Sequence, residues 1–242
     1  MSNSKQLQPV EQVRQNLAKA GFNFDEEVVM TVPEKTAIDL PRVKIEHRNN
    51  GRHRMYLDLG ESYINQEQQE IDIQNNELVG VIFATERIRA LWKEGETLPA
   101  CSAINGEPTV SDPISDKCKN CQKGKIGGEC KPKQRLWMLI EIDGKIKPVV
   151  FPLSPTSIKH WRSHANKLSR SQLPYVSVQT LMKLKDTKKN GYRWAEVEFD
   201  VMDLATDEQL EMAKKARTEL EKFRQNITEK DFDDPGDRVE DE

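Results

Sequence analysis

Every cysteine in the chain falls between residues 101 and 130, as Cys101, Cys118, Cys121 and Cys130. The spacing is C-x16-C-x2-C-x8-C, and the two-residue gap between Cys118 and Cys121 lets one tight turn aim both sulfurs at a shared centre. Gly124, Gly127 and Gly128 permit the positive φ angles that a short loop needs to wrap such a centre. Four thiolates complete a tetrahedral shell around Zn²⁺. Lys119, Lys123, Lys125 and Lys131 favour the thiolate form and offset the negative charge of the filled site. With no position left for water, the expected zinc is structural. A disulfide needs an oxidising compartment, which nothing in the chain indicates. A thioredoxin-like redox pair sits at a strand-to-helix junction, and "KCKNCQKGKIGG" is too rich in glycine for that.

The chain has 242 residues and a formal net charge of −3, a total that hides an uneven distribution. Lys117 to Arg193 holds eighteen basic residues against Glu129, Glu141, Asp143 and Asp186, a net of +14. Residues 226–242 hold eight acids against two basic residues, a net of −6. A basic body with an acidic end points to a polyanion-binding surface and a tail that competes with polyanions. No apolar run is long enough to span a bilayer. The start, "MSNSKQLQPVEQVRQ", lacks the apolar core of a secretory signal. The expected setting is the cytoplasm, with no membrane partner.

Periodicity divides the chain. Val10, Val13, Leu17 and Ala20 recur at helical spacing, giving an N-terminal segment, 1–38, with a short amphipathic helix. From Pro41 the period changes to two. "RVKIEH" and "RHRMYLDL" flank an "NNG" turn, and "LVGVIFATERIRALW" begins as a buried strand. "LWMLIEIDGKIKPVVFPL" reads as a hairpin turning at Asp143-Gly144. Ser154 and Pro155 suit the start of a helix over 155–168. "SVQTLMKL" and "YRWAEVEFDVM" are strands joined by "KDTKKNG". Thr206 and Gln209 form a capping box for a last helix over 204–227, with Leu210, Ala213, Leu220, Phe223 and Ile227 on one side. Residues 228–242 are too polar to fold and are expected to be a disordered acidic tail.

This order predicts a mainly β, α+β fold. The expected architecture is an OB-like five-stranded barrel over 39–203, carrying a zinc loop at 93–135 and flanking helices. The cysteine loop is expected in the hairpin between the second and third barrel strands. A generic α+β sandwich competes with it.

Alternation assigns faces. Leu136, Met138, Ile140 and Ile142 point inward, leaving Arg135 and Trp137 on the other side. Val178, Thr180, Met182 and Leu184 point inward, leaving Lys183 and Lys185 out. Ala195, Val197, Phe199 and Val201 point inward, with Tyr192 and Trp194 opposite and Arg193 beside them. Rings of this kind stack unpaired bases while lysine and arginine neutralise phosphates, an arrangement suited to single strands. The expected nucleic-acid contacts are Arg135, Lys183, Lys185, Lys188, Lys189 and Arg193, with Trp137, Tyr192 and Trp194 as stacking rings. His160 and His164 share a helical face, which reads as part of a basic helix anchored by Trp161. No nucleotide-binding loop or hydrolytic triad is apparent. Glu141 and Asp143 alternate as in nucleases but sit at a turn, so the expectation is a non-enzyme.

With these residues placed, "VGVIF…LW…LPACSAINGEP…CKNCQKGKIGGEC…RLWMLIEI" (79–142) resembles the zinc-containing OB-fold single-stranded-DNA-binding proteins of phages and mobile elements. The resemblance implies coating of single-stranded DNA during replication or recombination. It also implies that the tail, 226–242, recruits replication or recombination proteins and competes for the DNA groove. The ending "RVEDE" departs from bacterial members, whose acidic stretch closes on apolar residues. A zinc-stabilised duplex-DNA regulator or protein scaffold, and then a metal-dependent nuclease, are the alternatives.

Overall fold

The computed structural model describes residues 14–15, 18–21, 40–48, 50–60, 70–93, 99–125, 128–223 and 239–240. Of the expected N-terminal helix, Arg14, Gln15, Ala18 and Lys19 are helical, and the remainder lies outside the described residues. Eleven strands follow: β1 (Arg42–Glu46), β2 (Arg54–Asp58), β3 (Glu70–Asp72), β4 (Glu77–Leu91), β5 (Cys101–Ile104), β6 (Glu107–Pro108), β7 (Lys131–Ile142), β8 (Lys145–Leu153), β9 (Val178–Lys189), β10 (Tyr192–Leu204) and β11 (Val239–Glu240). Helix α1 (Pro155–Arg170) lies between β8 and β9, and α2 (Asp207–Phe223) follows β10. The molecule is mainly β, as the alternation implies.

The strands form one sheet in the order β11-β10-β9-β4-β7-β8-β1-β2-β3, with the β5–β6 hairpin on β4. The expected five-stranded closed barrel is not what the described strands make, because the sheet ends at β3 and is not closed by a backbone ladder. Side chains bridge the gap instead. The amide of Ala195 donates to His47 Nδ1 at 3.0 Å, and His53 Nε2 meets the Asp186 carboxylate at 2.9 Å. Gly51 lies so close to the Arg193 guanidinium that a Cβ would come within 2.8 Å of its central carbon.

Turn chemistry accounts for the hairpins. Asp143-Gly144 and Asn190-Gly191 both take positive φ at both positions, the geometry that matches strand twist. The segment "KDTKK", expected as loop, therefore continues β9 up to Lys189. A third such turn, Asn105-Gly106, builds the β5–β6 hairpin inside the cysteine segment. That segment connects β4 to β7, where it was expected between the second and third strands of a barrel.

Strand β4 pairs with three neighbours along its length, the third being β5 at Ile88 to Leu91. Glu77 to Gly80 pair with β9, whereas Val81 to Ala90 pair with β7. Gly80 is required where these strands meet, since a Cβ there would lie 2.7 Å from the Leu139 carbonyl oxygen. The inner face carries the larger core: Ile82, Leu136, Met138, Phe151, Met182 and Val197 pack with Trp161 of α1. On the outer face, Val81, Phe83, Trp137 and Leu139 lie beneath Ala213, Ala216 and Leu220 of α2. The expected capping box holds α2: the Thr206 amide donates to Gln209 Oε1 and the Gln209 amide to Thr206 Oγ1. Leu210, expected on the packed side, is 37% exposed.

His164 closes one end of the inner core. Its ring stacks on Phe199 with centroids 5.9 Å apart and lies 6.0 Å from Trp161. It is 4% exposed, Nε2 has no partner among the described residues, and burial holds its pKa below the ordinary histidine value of 6.5. The unfolded chain takes up this proton below that pH while the folded chain resists it. The stability tied to His164 is therefore complete above 6.5 and drains as pH falls. Replacing His164→Phe keeps the stacking and removes the proton. Thermal melts should show the variant gaining most over the parent at pH 5.5 and least at pH 8.

Candidate nucleic-acid interface

The cysteine loop folds back over the end of the β4–β7 pair, and a cleft of about 890 Å³ separates it from the body. Arg87 and Arg89 from β4, Lys117, Lys119 and Lys125 from the loop, and Arg162 from α1 line this cleft. Lys133 of β7 borders it but is buried, at 4% exposure, opposite Ile88. Glu107 is the one carboxylate among the described lining residues.

A bulge in β4 places the two arginines. Ile82 opposes Met138 and Ala84 opposes Trp137, so Phe83 is an extra residue that reverses the parity of the strand. Beyond it, Thr85, Arg87 and Arg89 share the inner face with Leu136, Gln134 and Pro132, while Glu86, Ile88 and Ala90 turn outward. Past the core, that inner face becomes the floor of the cleft.

Arg89 ties the loop to the floor. Its Nη1 donates to the Gly124 carbonyl at 2.7 Å. Gly124 has little room for a side chain, because a Cβ would lie 3.1 Å from that same nitrogen. Two short turns shape the loop, with the Cys121 amide donating to the Cys118 carbonyl and the Gly124 amide to that of Cys121. Lys123 pairs with Glu129 across it.

The four cysteines are half-buried free thiols. Burial is the largest influence on Cys118 and Cys130, pushing both thiols up, against the pull of Arg89. Neighbouring cysteines, Cys101 and Cys121 for the first and Cys118 and Cys101 for the second, add smaller upward pushes. Among the described residues, no three metal-ligating side chains are close enough to hold an ion. In number and softness the donors fit a thiolate-binding metal.

The other sequence-derived contacts lie elsewhere. Arg135 is 1% exposed, within 3.8 Å of Glu86, and Trp137 is 2% exposed in the core beneath α2. Trp194 is 8% exposed and donates Nε1 to Glu196. These three are corrected from surface contacts to interior residues. Alternation gave their face correctly, but α2 and the Glu196 cluster cover that face.

Lys183, Lys185, Lys188, Lys189, Tyr192 and Arg193 do lie on the β9–β10 hairpin. Three of their charges are met by acids: Lys183 by Glu77, Lys185 by Glu198 and Arg193 by Asp186. Lys189 and the 43% exposed Tyr192 remain at the tip. The tail reaches this tip, since β11 pairs with Tyr192 and Arg193. Thus Val239–Glu240 form a short strand where a fully disordered tail was expected.

His160 meets Glu196 at 2.7 Å while His164 faces the aromatic core, so the two histidines do not converge. Glu141 and Asp143 lie at the far end of β7, roughly 30 Å of extended chain from the cleft.

Sequence reasoning missed Arg87 and Arg89. The segment read as a buried strand, although its "ERIR" places two like charges on one face. The chain matches no known family model, curated protein or solved structure.

Replacing Arg89→Ala removes the clamp on Gly124. Trypsin should then cut at the loop lysines several-fold faster than in the parent, with the melting temperature of the body nearly unchanged. Equal cutting rates would show that Arg89 does not hold the loop.

Proposed function

We propose that this protein binds single-stranded DNA without catalysis, during replication or recombination, in the manner of the phage and mobile-element proteins it resembles. The observation that carries this reading is the cleft between loop and sheet, where six solvent-accessible cations face one carboxylate. An acid-poor groove of this kind tracks a phosphate backbone.

The topology supports the same reading. Strands β10-β9-β4-β7-β8, with α1 between β8 and β9, follow the strand order of an OB-type unit whose strands one to five are β4, β7, β8, β9 and β10. The β1–β2 hairpin occupies the seam where the third and fifth strands would meet, and β1 pairs β8 in parallel there. Such units bind oligonucleotides through the loops between strands one and two and between four and five. Here the first is the cysteine loop and the second is the Lys189–Tyr192 tip.

In this reading zinc is held by Cys101, Cys118, Cys121 and Cys130 and fixes the loop as one rigid wall of the cleft. The acidic tail, seated at Tyr192–Arg193 by β11, competes with DNA at the second loop and recruits replication or recombination proteins. The setting is the cytoplasm.

Fluorescence anisotropy with a labelled oligo(dT) of roughly thirty nucleotides, longer than a single-fold site, tests the role. Binding should be salt-sensitive and resist displacement by duplex of equal length. Replacing Arg87→Gln with Lys119→Gln should weaken it at least about ten-fold and flatten the salt dependence by about one log unit per decade. The pair Lys183→Gln and Lys185→Gln, already neutralised by acids, should change it less than about two-fold. Displacement by duplex, or equal losses from both pairs, would overturn the reading.

Purified protein should carry one zinc per chain by mass spectrometry. Replacing Cys118→Ser with Cys121→Ser should abolish it and lower the melting temperature. A double variant that melts with the parent would refute the structural role.

A further inference from the structure

The free edge of β10 is occupied in sequence order from its start. The tail strand pairs with Tyr192 and Arg193, His47 takes the amide of Ala195, and Ser157 Oγ takes the amide of Val197 at 3.0 Å. The outward amides thus fall on odd positions. Trp161 and His164 of α1 lie against the Phe199 ring, and from Asp200 to Leu204 no described strand pairs with this edge, where the amides of Val201 and Leu204 are held only by the neighbouring side chains of Asp200 and Asp203.

That stretch carries the two most exposed large apolar side chains among the described residues, Met202 and Leu204. Val201 is 43% exposed, Met202 61% and Leu204 62%. A register shift between Val201 and Asp203 makes Met202 the extra residue and turns it into solvent. Asp200 and Asp203 alternate with them, each accepting only the amide of the next residue among the described contacts. An open edge with exposed apolar side chains is a template for strand addition, which folds normally blunt with charge. Both charges here have one sign. Two copies of this edge would bring aspartates against aspartates, so self-pairing is disfavoured, whereas a strand bearing lysine or arginine gains at the same positions.

We propose that the β10 edge from Asp200 to Leu204 is a docking site for an extended segment of another protein, alternating apolar and cationic residues, that adds as a strand. The added strand displaces the Asp200 and Asp203 carboxylates from the amides of Val201 and Leu204 and pairs with those amides itself, Val201, Met202 and Leu204 receive the apolar side chains, and the released carboxylates select the cationic ones. The site is independent of DNA, because the cationic cleft at the other end of β4 would repel such a segment.

The test uses the full chain and a fluorescein-labelled peptide of about nine residues, a little longer than a typical strand, alternating valine and lysine. Comparison peptides have the same composition in scrambled order, or glutamate in place of lysine. The alternating cationic peptide should bind at least ten-fold more tightly than either, and saturating oligo(dT) should not displace it. In the variant Asp200→Lys with Asp203→Lys, the preference should invert toward the glutamate peptide. Equal binding of scrambled and alternating peptides, or an unchanged preference after charge reversal, would overturn the proposal. So would association of the parent chain into dimers through this edge, read as a dimer mass that Asp200→Lys with Asp203→Lys alters. Loss of oligo(dT) binding alone would bear on the DNA reading and leave this one standing.

Discussion

One extra residue in β4 decides what the sheet presents at its cleft end. Before Phe83, even-numbered positions point inward, as Leu78 and Ile82 do in the main core. After it, odd positions do, and Thr85 stands opposite Leu136. Without the bulge, Glu86, Ile88 and Ala90 would form the floor beneath the cysteine loop, giving an acidic and apolar surface. With it, Arg87 and Arg89 take those places, while Glu86 turns outward beside Arg135, both nearly sealed from solvent. Bulges bend a strand as well as shifting it. This one falls near the point where β4 leaves β9 for β7, where a bend is needed.

The charge pattern changes meaning once register is imposed. A window from Lys117 to Arg193 reads as strongly basic, yet β10 runs antiparallel to β9 and carries its acids just beyond that window. Glu196 and Glu198 come opposite Lys185 and Lys183, and the Lys185–Glu198 pair closes at 2.6 Å. Exposed pairs of this kind contribute little to stability. Their effect is on the field: the hairpin flank is neutral where sequence counting made it cationic. The loop lysines have fewer such partners, so the positive potential collects at the cleft.

Local chemistry was the legible part. The aspartate–glycine turn, the Thr206–Gln209 box, Pro155 at the start of α1 and the inward faces of β7 and β9 all follow from spacing and residue type. What escaped were features set by contacts distant in sequence. Trp137 lies on the face that alternation assigns to it, but a sheet has two faces to bury, and α2 covers this one from about eighty residues downstream. The β1–β2 hairpin joins β8 through Arg42 and Val150, a pairing no local pattern announces. The β5–β6 hairpin was within reach, since Asn105-Gly106 is the same signal as Asn190-Gly191. It was hidden by reading the whole cysteine segment as loop.

The two unlike surfaces sit at opposite ends of β4. Val201 lies level with Thr180 and, one strand further, with Gly80, whereas Arg87 and Arg89 are seven to nine residues along the same strand. That is roughly 25–30 Å, about three screening lengths at physiological salt. Charges at that distance scarcely sense one another, so a polyanion in the cleft neither attracts nor repels a cationic strand at the β10 edge by direct field. Any coupling between them would have to pass through packing. The route exists in Phe199, Trp161 and α1, because Trp161 packs on Phe199 at 5.6 Å and the same helix sends Arg162 into the cleft. Trp161 is sealed in the main core at 4% exposure, so that route is held by close packing and the two surfaces take their occupants independently.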